Sequence, residues 1–148
     1  MIIKLRDKIF AHDNSFLKNT ENITYSRDNI YDNDIVIYTI YNLNEYYNNA
    51  SKNIVLFLES PEIENRGYNY ILNNIHKYDL ILTFSKKLLD LGNNKIKLNL
   101  YGTTWLHENY RKLYEKNKLC STITSKKKIF KGHFMRHILC DLIEKNNK

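Results

Sequence analysis

Leu56-Phe57-Leu58-Glu59-Ser60-Pro61 joins the end of an apolar run to a carboxylate, a hydroxyl and the only proline in the chain. The run begins at Ile54 and is apolar throughout, which is typical of a strand buried on both faces of a parallel sheet. Pro61 has no backbone N–H to donate to a strand ladder, so the strand is expected to end before it. The segment therefore predicts a buried strand with Glu59 at its carboxyl end.

Four further segments rich in apolar and β-branched residues indicate strands, and they cover residues 34–40, 79–84, 95–101 and 119–124. Helical spacing or composition indicates helices between them, at residues 42–50, 65–77, 86–91, 108–116 and 133–145. Residues 1–31 carry few apolar anchors, and no element is predicted there. The alternation predicts one α/β domain over residues 1–148, with a Rossmann-like, mostly parallel sheet and flanking helices.

The composition limits the classes of partner. The chain has 148 residues and a net charge of +7, which favours nucleic acid, acidic membranes or phosphorylated small molecules. No apolar run approaches the roughly 18 residues that span a bilayer, and charged residues interrupt the N-terminal stretch. A cytoplasmic protein without a membrane partner is therefore expected. Two cysteines, Cys120 and Cys140, are too few for a disulfide scaffold or a zinc site.

Two roles for Glu59 stay open. Ligands of open α/β sheets bind at the carboxyl ends of the strands. A carboxylate there, partly shielded by apolar neighbours, is well placed to take a proton from a substrate. Alternatively, Glu59 caps the next helix, because helix starts favour acidic residues.

Other motifs are weak or absent. The four glycines are scattered, so there is neither a dinucleotide-binding fingerprint nor a P-loop. The lysines at 126–128 and 131 precede a predicted helix, where they either bind a phosphate group or form a solvated surface run. His133 and His137 are one helical turn apart, but no third ligand accompanies them, and no metal site is predicted.

Several segments, taken in order, resemble motifs of the α-1,3-fucosyltransferase family, glycosyltransferase family 10. Phe57-Leu58-Glu59-Ser60-Pro61 is similar to the family's Glu-Ser-Pro segment. Residues 78–84 resemble the strand that follows it, and Leu100-Tyr101-Gly102 resembles a Pro-Tyr-Gly motif. Residues 118–125, followed by Arg136, resemble a later Lys-rich approach to a strand and an Arg-bearing helix. The resemblance spans residues 34–144.

The chain departs from this family in three places. Ser85-Lys86-Lys87 stands where the family usually has Arg and Asp, and Leu100 replaces the proline of Pro-Tyr-Gly. The sequence ends at Lys148, where the family enters a second, donor-binding domain. The expectation is therefore the N-terminal, acceptor-side half of a GT-B-like transferase, truncated or split, which alone binds a GDP-sugar weakly or not at all.

The resemblance implies inverting transfer of fucose or a related sugar from a GDP-sugar to an acceptor glycan, with Glu59 as the general base. No cofactor is expected in this chain, since the GDP-sugar belongs to the complete family enzyme. Expected partners are the acceptor glycan and either a separate donor-binding domain or a second copy, through an exposed apolar surface near residues 138–143. The alternative is a small basic α/β module that binds nucleic acid or a protein without catalysis.

Overall fold

The structure, a computed structural model, describes residues 1–7, 17–100, 108–117 and 122–146. The chain divides into two compact units, Met1–Gly102 and Thr103–Lys148. All of the described strands belong to the first unit, whereas the described part of the second unit is a short 3-10 turn, a long helix and irregular segments. The sheet that the sequence predicts is thus a property of the first unit.

Six strands form one parallel sheet in the first unit. They are β1 (Ile2–Arg6), β2 (Thr24–Ser26), β3 (Ile35–Thr39), β4 (Lys52–Leu56), β5 (Leu80–Thr83) and β6 (Ile96–Leu98). Their order is β2-β1-β3-β4-β5-β6, and every neighbouring pair is parallel. Two helices flank the sheet, α1 (Asn65–Asn74) and α2 (Lys86–Leu89). The predicted α/β fold with a Rossmann-like parallel sheet is confirmed.

The strands β3 to β6 were predicted, whereas β1 and β2 were not. Lys4 and Arg6 interrupt the apolar pattern of β1, and β2 has only three residues. Lys4 is nevertheless only 8% exposed, and its ammonium group lies 5.8 Å from the ring centroid of Tyr31. The aliphatic stem of a lysine can be buried in this way while its charge contacts an aromatic ring.

Three sequence predictions are corrected by the structure. The predicted helix at 108–116 is wrong, because only Glu108–Tyr110 forms a 3-10 turn and residues 111–117 are exposed and irregular. Leu113 is 97% exposed, and a short helix that buries no apolar face is marginal in water. The helix at 42–50 is reduced to a 3-10 turn, Leu43–Glu45. Residues 122–124 are not a strand, and the rest of the predicted strand, 119–121, lies outside the described residues.

The core of the first unit lies between one face of the sheet and the helices. The parallel register places Tyr38, Val55, Ile81 and Ile96 in one row across four strands. All four side chains are at most 6% exposed. The helix residues that complete this core are Tyr68 and Ile71 from α1 and Leu88 from α2. Among the described helices, none has the length and apolarity needed to traverse a lipid bilayer.

Gly67 allows α1 to lie directly on the chain that leaves β3. A Cβ atom on Gly67 would lie 2.8 Å from the backbone oxygen of Ile40 and 3.0 Å from its Cδ1. We expect Gly67→Ala to lower the free energy of unfolding by about 1–3 kcal/mol, as overpacked core substitutions do, measured by urea denaturation. Gly132→Ala is the control, since a Cβ there meets nothing within 4 Å. An equal loss in both variants would contradict this packing.

Asp79 ties the start of β4 to the start of β5. Its carboxylate accepts hydrogen bonds from the backbone N–H of Asn53 at 2.8 Å and from the Lys52 ammonium group at 3.1 Å. Burial acts to raise the pKa of Asp79, but these two hydrogen bonds, together with the positive charges of Lys52 and Lys95, outweigh it and hold the pKa below its usual value. A carboxylate whose pKa is lowered on folding stabilises the folded state at pH values above its usual pKa. This contribution to stability is lost as the pH falls through the lowered pKa.

We therefore expect Asp79→Asn to be less stable than the wild type at neutral pH. The difference should shrink as the pH falls below about 4, because the wild-type carboxylate then becomes protonated and uncharged as well. Urea midpoints measured from neutral to strongly acidic pH would check this expectation. A difference that does not change with pH would show that the charge of Asp79 has no part in stability.

Candidate functional site

The strands of the first unit all end at the same side of the sheet, which we call the carboxyl edge. The chain passes from β1 outward to β2, and from β3 outward in the other direction through β4, β5 and β6. In open α/β sheets, ligands bind outside the carboxyl ends of the strands, close to such a reversal of strand order. The residues that directly follow β1, β3, β4 and β5 are therefore the candidates for a site.

Glu59 lies at the carboxyl edge, shortly after the end of β4. The backbone N–H of Phe57 still donates to the Leu82 carbonyl oxygen at 2.9 Å, so the chain leaves the sheet after Phe57. The Tyr68 hydroxyl on α1 donates to the Glu59 carbonyl oxygen at 2.9 Å, which holds this turn against the helix. The Glu59 side chain is half-buried. The structure places it where the sequence indicated, and its role in catalysis stays a prediction.

Glu64, and not Glu59, caps α1. The Glu64 carboxylate accepts the backbone N–H of Gly67 at 3.3 Å. The Ser60 carbonyl oxygen accepts the N–H groups of Ile63 and Glu64 at 3.0 and 3.1 Å, which closes a turn between Glu59 and the helix. The alternative role of Glu59 as a helix cap is therefore wrong, because this turn carries the chain past it before α1 begins.

The carboxylate of Glu59 makes no hydrogen bond or ion pair with the residues that the structure describes. Two tyrosines lie within its electrostatic reach. Burial, and then the charges of Glu59 and Glu64, raise the pKa of Tyr41. Burial also raises the pKa of Tyr68. A hydrogen bond with the Thr83 hydroxyl lowers this pKa, and the negative charge of Glu59 raises it further. Both phenols therefore keep their protons at neutral pH.

The reversal between β1 and β3 is filled by ion pairs that the sequence did not predict. Asp7 directly follows β1 and has a side chain only 1% exposed, and Arg27 binds both of its carboxylate oxygens, at 2.7 and 3.0 Å. Arg6 pairs with Glu45 at 3.3 Å and donates to the Asp28 carbonyl oxygen at 2.9 Å. The two residues of each ion pair lie far apart in the sequence, and no local sequence pattern predicts these pairs.

A short chain of hydrogen bonds at the end of β3 completes this network. The Thr39 hydroxyl lies 2.9 Å from Oδ1 of Asn42, and Nδ2 of Asn42 donates to the Glu45 carboxylate at 2.7 Å. Thr39 and Asn42 are both buried. The carboxylates of Asp7 and Glu45 are thus neutralised by arginine, whereas Glu59 retains free acceptor capacity. A neutralised, hydrogen-bonded carboxylate is a poor proton acceptor, whereas Glu59 and the exposed Glu62, both on the turn after β4, make no such contact with the described residues.

The basic residues and histidines among the sequence candidates belong to the second unit. The lysines at 126–128 and 131 and Arg136 are exposed. His133 accepts the backbone N–H of Phe130 at 3.2 Å, and Nε2 of His137 lies 3.2 Å from the Lys127 carbonyl oxygen. Within the described part of the chain, no group of three or more His, Cys, Asp or Glu could hold a metal ion. Tyr101 and Gly102, from the third family-like motif, lie outside that part.

Comparison with known proteins identifies no family. No family model matches the chain, and neither the curated proteins nor the solved structures give a match. The residues and their geometry alone must therefore indicate a function. What they present is a parallel sheet whose carboxyl edge holds a half-buried carboxylate without a partner among the described residues.

Arg27 is expected to be essential for stability because of its contact with Asp7. Arg27→Ala would leave a buried carboxylate without its bidentate partner, and we expect the free energy of unfolding to fall by about 3 kcal/mol. Arg66→Ala is the control. The Arg66 side chain is 94% exposed and 3.6 Å from Glu64, so its loss should change little. Urea denaturation of both variants tests this, and similar stabilities would show that Asp7 does not depend on Arg27.

Proposed function

We propose that the first unit is the acceptor-side domain of an inverting glycosyltransferase, in which Glu59 is the general base. The observation that supports this most directly is the half-buried carboxylate of Glu59 at the carboxyl edge, which has no partner among the described residues, whereas arginine pairs with the carboxylates of Asp7 and Glu45. The resemblance of Phe57-Leu58-Glu59-Ser60-Pro61 to the Glu-Ser-Pro segment of family 10 fucosyltransferases adds the reaction class.

The proposed step is a single displacement. The carboxylate of Glu59 accepts the proton of an acceptor-sugar hydroxyl as that oxygen attacks the anomeric carbon of the donor sugar. The bond between the anomeric carbon and the GDP oxygen breaks, and GDP leaves with the electron pair. The new glycosidic bond has the inverted configuration because the nucleophile and leaving group are in line. Fucose, or a related sugar carried by GDP, is the donor that the resemblance suggests.

The residues around Glu59 have supporting roles in this proposal. Tyr68 fixes the backbone of Glu59 through its hydrogen bond to the carbonyl oxygen, and its ring packs on Phe57 with centroids 4.4 Å apart. Tyr41 is half-buried and within electrostatic reach of the carboxylates of Glu59 and Glu64. An aromatic ring beside two carboxylates is suited to a sugar, whose faces are apolar and whose hydroxyls donate hydrogen bonds.

The nucleic-acid alternative receives less support from the first unit. Single-strand binding combines a basic groove with exposed aromatic rings on which bases stack. Four large aromatic side chains of this unit are instead at most 4% exposed, namely Tyr38, Phe57, Tyr68 and Tyr78. These rings form the core, where no base can reach them.

Glu59→Gln is the direct test of the proposed base. The wild-type protein would be screened on a glycan array, and the bound glycan would then serve as the acceptor for labelled GDP-fucose, with a donor-binding partner supplied where turnover requires one. We expect Glu59→Gln to bind the glycan but to transfer the sugar at least about a hundredfold more slowly, since amides cannot act as the base.

Glu62→Gln is the matched control, because Glu62 is an exposed carboxylate on the same turn. It should bind and transfer like the wild type. Thermal unfolding of all three proteins would confirm equal folding. Undiminished transfer by Glu59→Gln, or a wild type that binds no glycan on the array, would overturn the proposal.

A further inference from the structure

Thr83 is a buried polar residue at the carboxyl end of β5, beside the turn that carries Glu59. Its side chain is 0% exposed. The preceding residue, Leu82, accepts the backbone N–H of Phe57 at 2.9 Å, so Thr83 lies next to the point where the chain leaves β4. A buried hydroxyl group is costly unless it is hydrogen-bonded, so the partners of Thr83 show what this residue holds together.

The Thr83 hydroxyl group has two hydrogen-bond partners. Its oxygen accepts the backbone N–H of Ser85 at 3.1 Å, and the hydroxyl also forms a hydrogen bond with the phenol of Tyr68. Tyr68 in turn donates to the Glu59 carbonyl oxygen at 2.9 Å. The three contacts form one chain from the residue that precedes α2 to the turn that carries Glu59, and we call this chain the Thr83 relay.

The direction of each hydrogen bond in the Thr83 relay follows from the hydrogens available. The Tyr68 hydroxyl donates its one hydrogen to the Glu59 carbonyl, so its oxygen must accept from Thr83. The direction of the pKa effect agrees, because the Thr83 hydroxyl lowers the pKa of Tyr68, as a donor to a phenolate oxygen does. Each hydroxyl therefore accepts one hydrogen bond and donates one, and hydrogen bonds in such a chain strengthen one another.

We propose that Thr83 is a positioning residue for Glu59 and acts through Tyr68. The Thr83 relay ties the Glu59 backbone to β5 and α1, whereas the Glu59 side chain is only half-buried. Tyr68 and Ser85 are 4% and 7% exposed, so water has little access to these hydrogen bonds. A general base must be held within reach of the substrate hydroxyl, and a misplacement of about 1 Å can lower the rate roughly a hundredfold. This role rests on the proposed function of Glu59.

The NMR chemical shift of the Glu59 carbonyl carbon tests the Thr83 relay without any sugar transfer. This shift depends on the hydrogen bond that the carbonyl oxygen accepts, so Tyr68→Phe should change it. Thr83→Val should change it in the same direction but less, because Tyr68 then keeps its hydrogen bond and loses only the polarisation by Thr83. Thr83→Ser keeps the hydroxyl and should leave the shift unchanged. An unchanged shift in Thr83→Val would overturn the proposal.

Thr39→Val is the matched control. Thr39 is also 0% exposed and is the last residue of its strand, β3. Its hydroxyl lies 2.9 Å from Oδ1 of Asn42 and 3.3 Å from the Arg6 carbonyl oxygen. Urea denaturation should show a loss of stability comparable to that of Thr83→Val, since a buried hydrogen bond is lost in both, but the Glu59 carbonyl shift should not change. Equal shift changes in the two variants would contradict the relay.

Sugar-transfer kinetics test the positioning role itself. In the assay used for Glu59→Gln, we expect Thr83→Val to lower kcat by about tenfold with little change in KM, because the acceptor still binds but the base is displaced. Tyr68→Phe should have a similar effect, and Thr83→Ser should transfer like the wild type. The double variant Thr83→Val/Tyr68→Phe should be no slower than Tyr68→Phe alone, since Thr83 acts only through the hydroxyl that is already removed.

Failure of this inference is distinguishable from failure of the proposed base. Losses of Thr83→Val and Tyr68→Phe that multiply in the double variant would overturn the role of Thr83 alone. The same holds for a Thr83→Val variant that transfers as fast as the wild type while Glu59→Gln is inactive. Undiminished transfer by Glu59→Gln would instead overturn the base, and with it any catalytic role of the Thr83 relay, whatever the carbonyl shift shows.

Discussion

Parallel pairing of β3, β4 and β5 is the constraint on which the rest of the first unit depends. Parallel neighbours end at the same edge, and each connection must return across the sheet, which the chain does through α1 between β4 and β5. That crossover begins at the carboxyl edge, so Tyr68 in the first turn of α1 lies beside the turn after β4, where its hydroxyl holds the Glu59 backbone. The position of the candidate base is thus a consequence of the strand direction.

Glu59 differs from Asp7 and Glu45 because its carboxylate has no partner among the described residues. Asp7 and Glu45 lie at the same edge, but arginine side chains bind both of them. These ion pairs link β1 to residues 27–28 and to the turn after β3, so their role is to join segments. A half-buried carboxylate that is left out of such a network keeps its lone pairs for a substrate, which is why the proposal of a general base rests on Glu59.

The two units differ in how they use apolar residues. The first unit buries Val36, Val55, Phe57, Ile71 and Ile81 completely, in a continuous core. None of the described residues of the second unit is buried, although its long helix, α3 (Lys131–Asn146), carries a broad apolar stripe. A helix with this composition is stabilised mainly by what covers its apolar side.

The sequence by itself determined the class of fold and the place of Glu59. Continuous apolar runs predict buried parallel strands, and Pro61 marks where one of them must end, because both signals are local in the chain. The strand β1 was missed because Lys4 and Arg6 interrupt its apolar pattern and are covered only by partners far away in the sequence, and β2 was missed because it has only three residues. The predicted helix at 108–116 was wrong for a similar reason. The helical spacing of its apolar residues does not reveal whether the fold provides a surface that Leu113 can contact.

Only the tertiary structure decided which charges are available for chemistry. The bidentate contact between Asp7 and Arg27 and the pairing of Arg6 with Glu45 join segments that no periodic pattern connects. Whether a carboxylate acts as a helix cap, an ion-pair partner or a free base depends on which groups lie within about 3 Å of it, and folding alone sets those distances.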